Sequence, residues 1–274
     1  MRGVGFGSWS GRAAAGAVLV VTTALSGAGA VGAAPAAEQP GTVLEAAPLD
    51  PALAVSAAAE AERLTYTTQW RDGDPADGTG VLYIPDGPVP DGGWPIVAWA
   101  HGTTGLGDDC APSLLSPEDQ AGEYLDVWLE QGYAVVAADY PGLGTPGLHR
   151  YLDGPSAANS IVDIVRAARS VNPDLSDSWV VVGQSQGGHA ALHTAHTATT
   201  RAPELDFRGA VATGAPSNLE SLFPLGGPDF PDLGLRGLTV YSAYIIAGLR
   251  EARPDVNIDS YLTDEGRRVA GFTG

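Results

Sequence analysis

Short apolar runs alternate with amphipathic segments along the middle of the chain. Four runs are predicted to be buried strands, at residues 95–100, 133–138, 179–182 and 207–211. Segments with helical spacing of apolar residues follow the first three of them, at 117–131, 156–171 and 186–199. Buried strands that alternate with helices are typical of a parallel sheet covered on both faces. The pattern predicts a doubly wound, mostly parallel α/β fold.

The regions on either side of this alternation have other patterns. Residues 63–70 and 80–84 alternate like strands, whereas 37–60 is rich in Ala, Pro and Glu and is predicted to be a loose leader. After Pro216 the chain is apolar and favours helix, with no further strand expected before its last residue. In the helix predicted at 117–131, we expect Tyr124, Val127 and Leu129 to form the apolar side and Gly132 to end the helix.

The first 36 residues have the pattern of a secretory signal. Arg2 and Arg12 give a positive start, and an apolar stretch at 13–25 precedes small residues with possible cleavage sites at 28–30 or 34–36. The alternative is a membrane anchor, but the stretch is mostly Ala and Gly, which insert weakly. We therefore predict that residues 1–36 are a cleaved signal peptide, that the protein is secreted, and that it keeps no stable membrane insertion afterwards.

Charge excludes several kinds of partner and chemistry. The chain has 32 acidic residues and 14 basic ones, all arginine, for a net charge of -18. Such a surface repels phosphate backbones, so nucleic acid is excluded as a partner. The absence of lysine excludes Schiff-base chemistry and a P-loop.

The sharpest motif is the segment Gly183–Gly187, which fits G-x-S-x-G around Ser185. Alone this pattern is weak. Its context is specific, because an apolar strand precedes it and a helix with small residues follows it. A sharp turn from strand to helix needs small flanking residues and presents the serine oxygen at the sheet edge, above the helix N-terminus. The motif predicts that Ser185 is a nucleophile.

A second glycine-rich segment could complete the site. Residues 101–105 read His-Gly-Thr-Thr-Gly and follow the earlier buried strand. A serine nucleophile needs N–H donors for the oxyanion that develops during attack. We expect one backbone N–H from Thr104 in this loop and a second from Gln186, the residue after the serine.

Two other patterns are interpreted as structural. Residues 142–147 match G-x-G-x-x-G, but Pro146 lies where a phosphate-binding helix should begin, so a dinucleotide site is rejected. His189, His193 and His196 share a helix face, but no carboxylate or cysteine completes a metal set. We expect His193 and His196 to face solvent and His189 to pack beneath the turn at Ser185. Neither a cofactor nor a metal is expected.

Taken together, these segments resemble the secretory lipase family, the cap-bearing lipase A type of α/β-hydrolase. The resemblance covers about residues 60 to 270. It is carried by the stretches 104–113, 131–139, 183–189, 202–205, 209–210 and 226–228. It implies an α/β-hydrolase core at 37–216 and an incomplete helical cap or lid at 217–274.

The resemblance also implies an activity without a cofactor. It points to a triacylglycerol lipase or carboxylesterase that acts on lipids or small acyl esters, with Ser185 as nucleophile and the backbone N–H groups of Thr104 and Gln186 as oxyanion donors. In this family the triad acid and histidine follow the cap. They are expected beyond Gly274, as is a disulfide partner for Cys110, and the chain is interpreted as the N-terminal part of a longer enzyme.

Two alternatives to an ester hydrolase stay open. Because a fold does not fix a substrate, a peptidase or acyltransferase could be built on the same framework. A non-catalytic protein could instead keep the pocket for binding alone. A serine-directed fluorophosphonate probe would label the enzymes and not the binding protein.

Overall fold

A computed structural model describes residues 39–118, 121–222 and 236–271. Its seven strands are β1 Val43–Pro48, β2 Ala58–Gln69, β3 Pro75–Pro85, β4 Trp94–Ala100, β5 Ala134–Asp139, β6 Leu175–Gln184 and β7 Asp206–Thr213. The described helices are α1 Gly122–Glu130, α2 Gly154–Val171, α3 Gln186–Arg201, α4 Leu219–Leu222, α5 Arg236–Ala252 and α6 Asp264–Gly271. Short 3-10 turns occur at Asp108–Cys110, Pro112–Leu114 and Ile258–Tyr261.

The strands form one mixed sheet in the order β1-β2-β3-β5-β4-β6-β7. Strands β5, β4, β6 and β7 run parallel, whereas β1, β2 and β3 are antiparallel to their neighbours. In the parallel part, Ala100 of β4 lies beside Ala138 of β5 on one side and Gly183 of β6 on the other. This register brings the carboxyl ends of the central strands to the same edge, where ligands bind in open α/β sheets.

Helices cover both faces of the sheet, as the alternation of apolar runs predicts. The helices α2 and α3 bury one face, around the fully buried Ile161, Ile164 and Val181. The other face packs Val97, Trp99 and Val135 against Leu125 and Leu129 of α1. The doubly wound α/β prediction is therefore confirmed.

A buried ion pair joins α2 to α3, and it thereby fixes the helix that follows Ser185. Asp163 of α2 is fully buried. Its carboxylate accepts hydrogen bonds from Arg201 of α3 at 2.6 Å and from Thr68 of β2 at 2.8 Å, and it pairs with Arg166 at 3.1 Å. Burial raises the pKa of Asp163, while the hydrogen bond from Arg201 and its positive charge lower it.

The prediction that residues 37–60 form a loose leader is wrong from residue 43 onward. Strand β1 and the first residues of β2 lie in this stretch, and the two strands pair antiparallel, with Ala46 opposite Leu64. Strand β1 lies at the sheet edge, and all of its residues are half-buried or exposed. It therefore lacks the apolar alternation that identifies a strand in a sequence.

The predicted first helix is shorter than expected, and its apolar side differs. Helix α1 begins at Gly122, after Ala121 at φ 65°. Tyr124 and Val127 are exposed, and Leu125 is buried together with Leu129. Gly132 ends the helix as predicted, with φ 81° and an N–H bond of 2.9 Å to the carbonyl oxygen of Leu129.

The signal and cap predictions fall only partly on residues that can be described. Residues 1–36 lie outside the described residues, as does 223–235 of the predicted cap. The described residues after 216 are helices and turns, with no strand among them. Every helix among the described residues is too short or too polar to span a membrane.

Candidate active site

Ser185 occupies the sharp turn between β6 and α3. Its backbone has φ 56° and ψ -120°, a strained conformation for a residue with a side chain. The Ser185 N–H donates to the carbonyl oxygen of Thr213, the last residue of β7, at 2.9 Å. One turn later the His189 N–H donates to the Ser185 carbonyl oxygen at 3.1 Å, which starts α3. The turn therefore stands at the carboxyl edge of the sheet, at the N-terminus of a 16-residue helix.

Two glycines make this turn possible because the backbone around it is too crowded for a side chain. A Cβ at Gly187 would lie 1.8 Å from the carbonyl oxygen of Ala100 at the end of β4. A Cβ at Gly183 would lie 2.2 Å from the carbonyl oxygen of Gly187. Both separations are far below van der Waals contact. The glycines of the motif are therefore steric requirements of the fold at this point, as the sequence analysis predicts.

The glycine-rich loop at 101–105 runs beside the serine. A Cβ added at Gly102 would be 4.0 Å from the Cβ of Ser185, so the loop and the turn are adjacent. The hydroxyl of Thr103 is hydrogen-bonded to the hydroxyl of Tyr151 at 2.8 Å. The Thr104 hydroxyl is buried without a hydrogen-bond partner among the described residues.

Gln186 is the first residue of α3, and a hydrogen bond with His149 holds its side chain. It is buried, and its Nε2 lies 2.7 Å from Nε2 of His149. The structure thus brings Ser185, Gln186 and the loop of Thr104 to one place. These are the three residues that the sequence analysis selects.

Two buried histidines lie near this turn and stack on one tyrosine. The ring of His101 lies 4.2 Å from that of Tyr140, and the ring of His149 lies 5.8 Å from it on a nearly parallel plane. Burial lowers the pKa of His101 to about 3 and that of His149 to about 4. Both rings are therefore neutral at neutral pH.

The helix after the turn carries the other three histidines. His189 is half-buried, and burial lowers its pKa to about 4. The prediction that His193 faces solvent is wrong, because a Cβ at Gly154 would lie 2.0 Å from its ring, which is half-buried against α2. His196 is exposed, as expected.

Neither a base for Ser185 nor a metal site is found in the described part of the chain. Within the ranges that the structure describes, no side chain is hydrogen-bonded to the Ser185 hydroxyl, and no group of His, Cys, Asp and Glu could hold a metal ion. A strained serine at the start of a helix, beside backbone N–H groups, can attack a carbonyl carbon once a base removes its proton.

A buried carboxyl supports the loop that follows residues 101–105. Asp139, at the end of β5, accepts a hydrogen bond of 2.8 Å from the hydroxyl of Thr79 and one of 2.9 Å from the N–H of Ser113. Burial raises its pKa. Sequence reasoning did not single out this residue as a support, because its partners lie on distant segments.

Comparison with known proteins then decides the family. The family model described as secretory lipase matches residues 122–258, which is half of the chain. The chain belongs to the secretory lipase family. Lipase A of Moesziomyces aphidis is 32% identical over an alignment of 176 positions, which covers 59% of this chain and 36% of that protein.

Solved structures agree with this membership of the secretory lipase family. Candida antarctica lipase A, 23% identical with a TM-score of 0.67, shares the fold over 86% of this chain and 55% of its own. The rice cell wall degrading esterase LipA of Xanthomonas oryzae is 26% identical, with a TM-score of 0.68 over 86% of this chain and 67% of its own. The α/β-hydrolase fold is thereby confirmed. The chain spans about one third to two thirds of the length of these relatives.

Proposed function

We propose that this protein is a secreted serine hydrolase of carboxylic esters, and more specifically a triacylglycerol lipase or esterase. The observation that carries the proposal is the backbone of Ser185, held at φ 56° and ψ -120° between β6 and α3. A turn of this kind costs on the order of 1–3 kcal/mol and persists where the strain serves function. Membership of the secretory lipase family supports the substrate class.

The proposed chemistry follows from the position of the serine. A general base takes the hydroxyl proton of Ser185 as its Oγ attacks the ester carbonyl carbon, and the negative charge that develops on the carbonyl oxygen is held by the N–H groups of Thr104 and Gln186. The base returns this proton to the alcohol as it leaves, and water then cleaves the bond between the acyl group and the serine, which releases the acid and restores the serine hydroxyl. The N-terminus of α3 adds a favourable positive potential at the same point.

The buried histidines are poor candidates for the base. The Nε2 of His149 already lies within hydrogen-bond distance of Gln186, and its Nδ1 within that of the Pro141 carbonyl. The His101 Nδ1 lies 2.6 Å from the carbonyl oxygen of Gly102. Because the chain spans only part of its relatives, activity is to be tested on the protein expressed from its complete reading frame.

The first test replaces the proposed nucleophile. Ser185→Ala should lower kcat for a short-chain nitrophenyl ester by on the order of 10⁴-fold or more. The matched control is Ser170→Ala, near the C-terminal end of α2, which should retain wild-type activity. A fluorophosphonate probe should label the wild type and the control but not Ser185→Ala. Residual activity of Ser185→Ala within tenfold of wild type would contradict the assignment.

The same protein tests the substrate class and the export. Hydrolysis of an emulsified long-chain triacylglycerol would support a lipase, and activity restricted to soluble short esters would support an esterase. Labelling by the probe without hydrolysis of any ester would favour a peptidase or acyltransferase. N-terminal sequencing of protein from the culture medium should find a start after Ala30 or Ala36, whereas a cell-bound product that begins at Met1 would contradict export.

A further inference from the structure

We propose that His149 and Tyr151, two residues of the loop between β5 and α2, are positioning residues for the oxyanion site. His149 holds Gln186, and Tyr151 holds the peptide unit between Thr103 and Thr104. This inference rests on the proposed function, since it assigns roles toward the two donors named there. It goes further in making one loop responsible for both donors.

The contacts of His149 fix which of its ring nitrogens carries the proton. Its Nδ1 lies 3.1 Å from the carbonyl oxygen of Pro141, which can only accept, so Nδ1 carries the hydrogen. A neutral ring then presents a lone pair at Nε2. The Gln186 amide nitrogen, 2.7 Å away, donates to that lone pair. Because the ring is buried, its pKa is lowered to about 4, and this arrangement persists at neutral pH.

This bond restrains the residue that carries one proposed donor. Gln186 is the first residue of α3, and the residue is only 3% exposed. With the side chain fixed at its amide, the backbone of Gln186 cannot rotate freely after the strained Ser185. An oxyanion donor is effective because it is already aligned before charge develops. His149 contributes that alignment through Gln186 without touching the substrate.

Tyr151 acts on the opposite donor. Its hydroxyl is 2.8 Å from the Thr103 hydroxyl, and the residue as a whole is 7% exposed. The carbonyl carbon of Thr103 and the N–H of Thr104 belong to the same planar peptide unit. Holding Thr103 by its side chain therefore anchors the Cα at one end of the peptide unit that carries the Thr104 N–H. Rings from α5, Tyr241 and Tyr244, pack on Tyr151 and keep it in place.

The shape of the loop explains how both residues reach the site. A glycine is required at Gly142, which has φ 83° and where a Cβ would lie 2.4 Å from the backbone nitrogen of His149. The Gly142 N–H is in turn bound by the Thr145 hydroxyl at 2.9 Å. The loop thus folds back on its own start, and His149 and Tyr151 come to lie beneath the two donor segments.

Two substitutions of His149 separate positioning from a merely structural role. A glutamine side chain places its amide near the former Nε2 and can still accept from Gln186. An asparagine side chain places its amide near the former Nδ1 and can still donate to Pro141. If His149 acts through Gln186, His149→Asn should lower kcat by on the order of 10- to 100-fold with little change in KM, and His149→Gln should stay within about fivefold of wild type. A purely structural role for the Pro141 bond predicts the reverse order.

A double-mutant cycle tests whether the effect passes through Gln186. In a Gln186→Ala background the partner of His149 is gone, so His149→Asn should then cost less than about threefold in kcat. An undiminished loss in that background would overturn the proposed route.

Removal of one hydroxyl tests the other side of the loop. Tyr151→Phe should lower kcat by roughly tenfold with KM within about threefold. Tyr66→Phe is the matched control, because it loses a buried hydroxyl bond of 2.7 Å to Ser160, in the core. It should lose stability while keeping wild-type kcat. Equal effects of the two variants on kcat would overturn the role of Tyr151.

The outcomes also separate this inference from the proposed function. Hydrolysis that depends on Ser185 but is insensitive to His149→Asn and Tyr151→Phe would overturn the positioning roles and leave the proposed function intact. Absence of Ser185-dependent hydrolysis in the wild type would overturn both. Urea unfolding of each variant shows that a lost kcat belongs to a folded protein.

Discussion

Burial of neutral His149 should make the protein less stable as the pH falls. In the folded chain burial lowers the pKa of His149 to about 4, whereas an unfolded histidine titrates near 6.5. Between these values the unfolded state binds more protons than the folded state. Stability therefore rises with pH across this window, and it is lost as the pH drops through it.

The size of the effect at pH 5 depends on the unfolded value alone. This pH lies above the folded pKa of His149, so the folded ring stays neutral there. It lies about 1.5 pH units below the unfolded value, and each unit corresponds to about 1.4 kcal/mol, which gives about 2 kcal/mol from this one residue. The buried carboxyls Asp139 and Asp163, whose pKa values are raised by burial, contribute with the opposite sign, because there the folded state binds more protons than the unfolded state.

A variant comparison isolates His149 from the other groups. His149→Gln keeps an acceptor for Gln186 but cannot be protonated in either state. The free energy of unfolding is measured in urea for the wild type and the variant at pH 7 and pH 5. The difference between the two proteins should shift by about 2 kcal/mol in favour of the variant at pH 5. His196→Gln, at an exposed position of α3, should follow the wild type at both pH values. An unchanged gap between wild type and His149→Gln would refute the reasoning.

Three further perturbations test the framework around the site. Gly187→Ala, whose Cβ would stand 1.8 Å from a β4 carbonyl oxygen, should abolish probe labelling and lower solubility, whereas Gly107→Ala, with no atom within 4 Å, should do neither. Arg201→Met should lower the free energy of unfolding by about 3 kcal/mol, because it leaves Asp163 buried without its strongest partner. The double variant Arg201→Met/Asp163→Leu should regain part of this loss. Non-reducing peptide mapping of protein collected from the culture medium should find Cys110 in a disulfide, and an alkylatable thiol there would contradict this.

The parallel strands and their helices could be predicted because each carries its signal locally. A strand buried on both faces, such as residues 134–138 of β5, reads as a continuous apolar run wherever it lies in the sheet. Strand β1 carries no such signal, since it is held by backbone pairing with β2 while most of its side chains are half-buried or exposed. The exposure of Tyr124 and Val127 was equally hidden, because it depends on which face of α1 meets the sheet.

In the candidate site, too, the features with a local cause could be predicted from the sequence, whereas those that depend on distant residues could not. The turn at Ser185 is encoded by missing side chains: Gly183 and Gly187 leave room for backbone atoms that are packed around them, and such glycines are visible in a sequence as a motif. The hydrogen bond from Gln186 to His149 joins residues 37 positions apart, in a helix and a loop, and neither residue type announces it. The motif therefore reveals the position of the serine, because the crowded backbone on either side of it requires glycine. The residues that align its oxyanion donors can lie anywhere the fold returns to the same edge, and only the folded chain shows them.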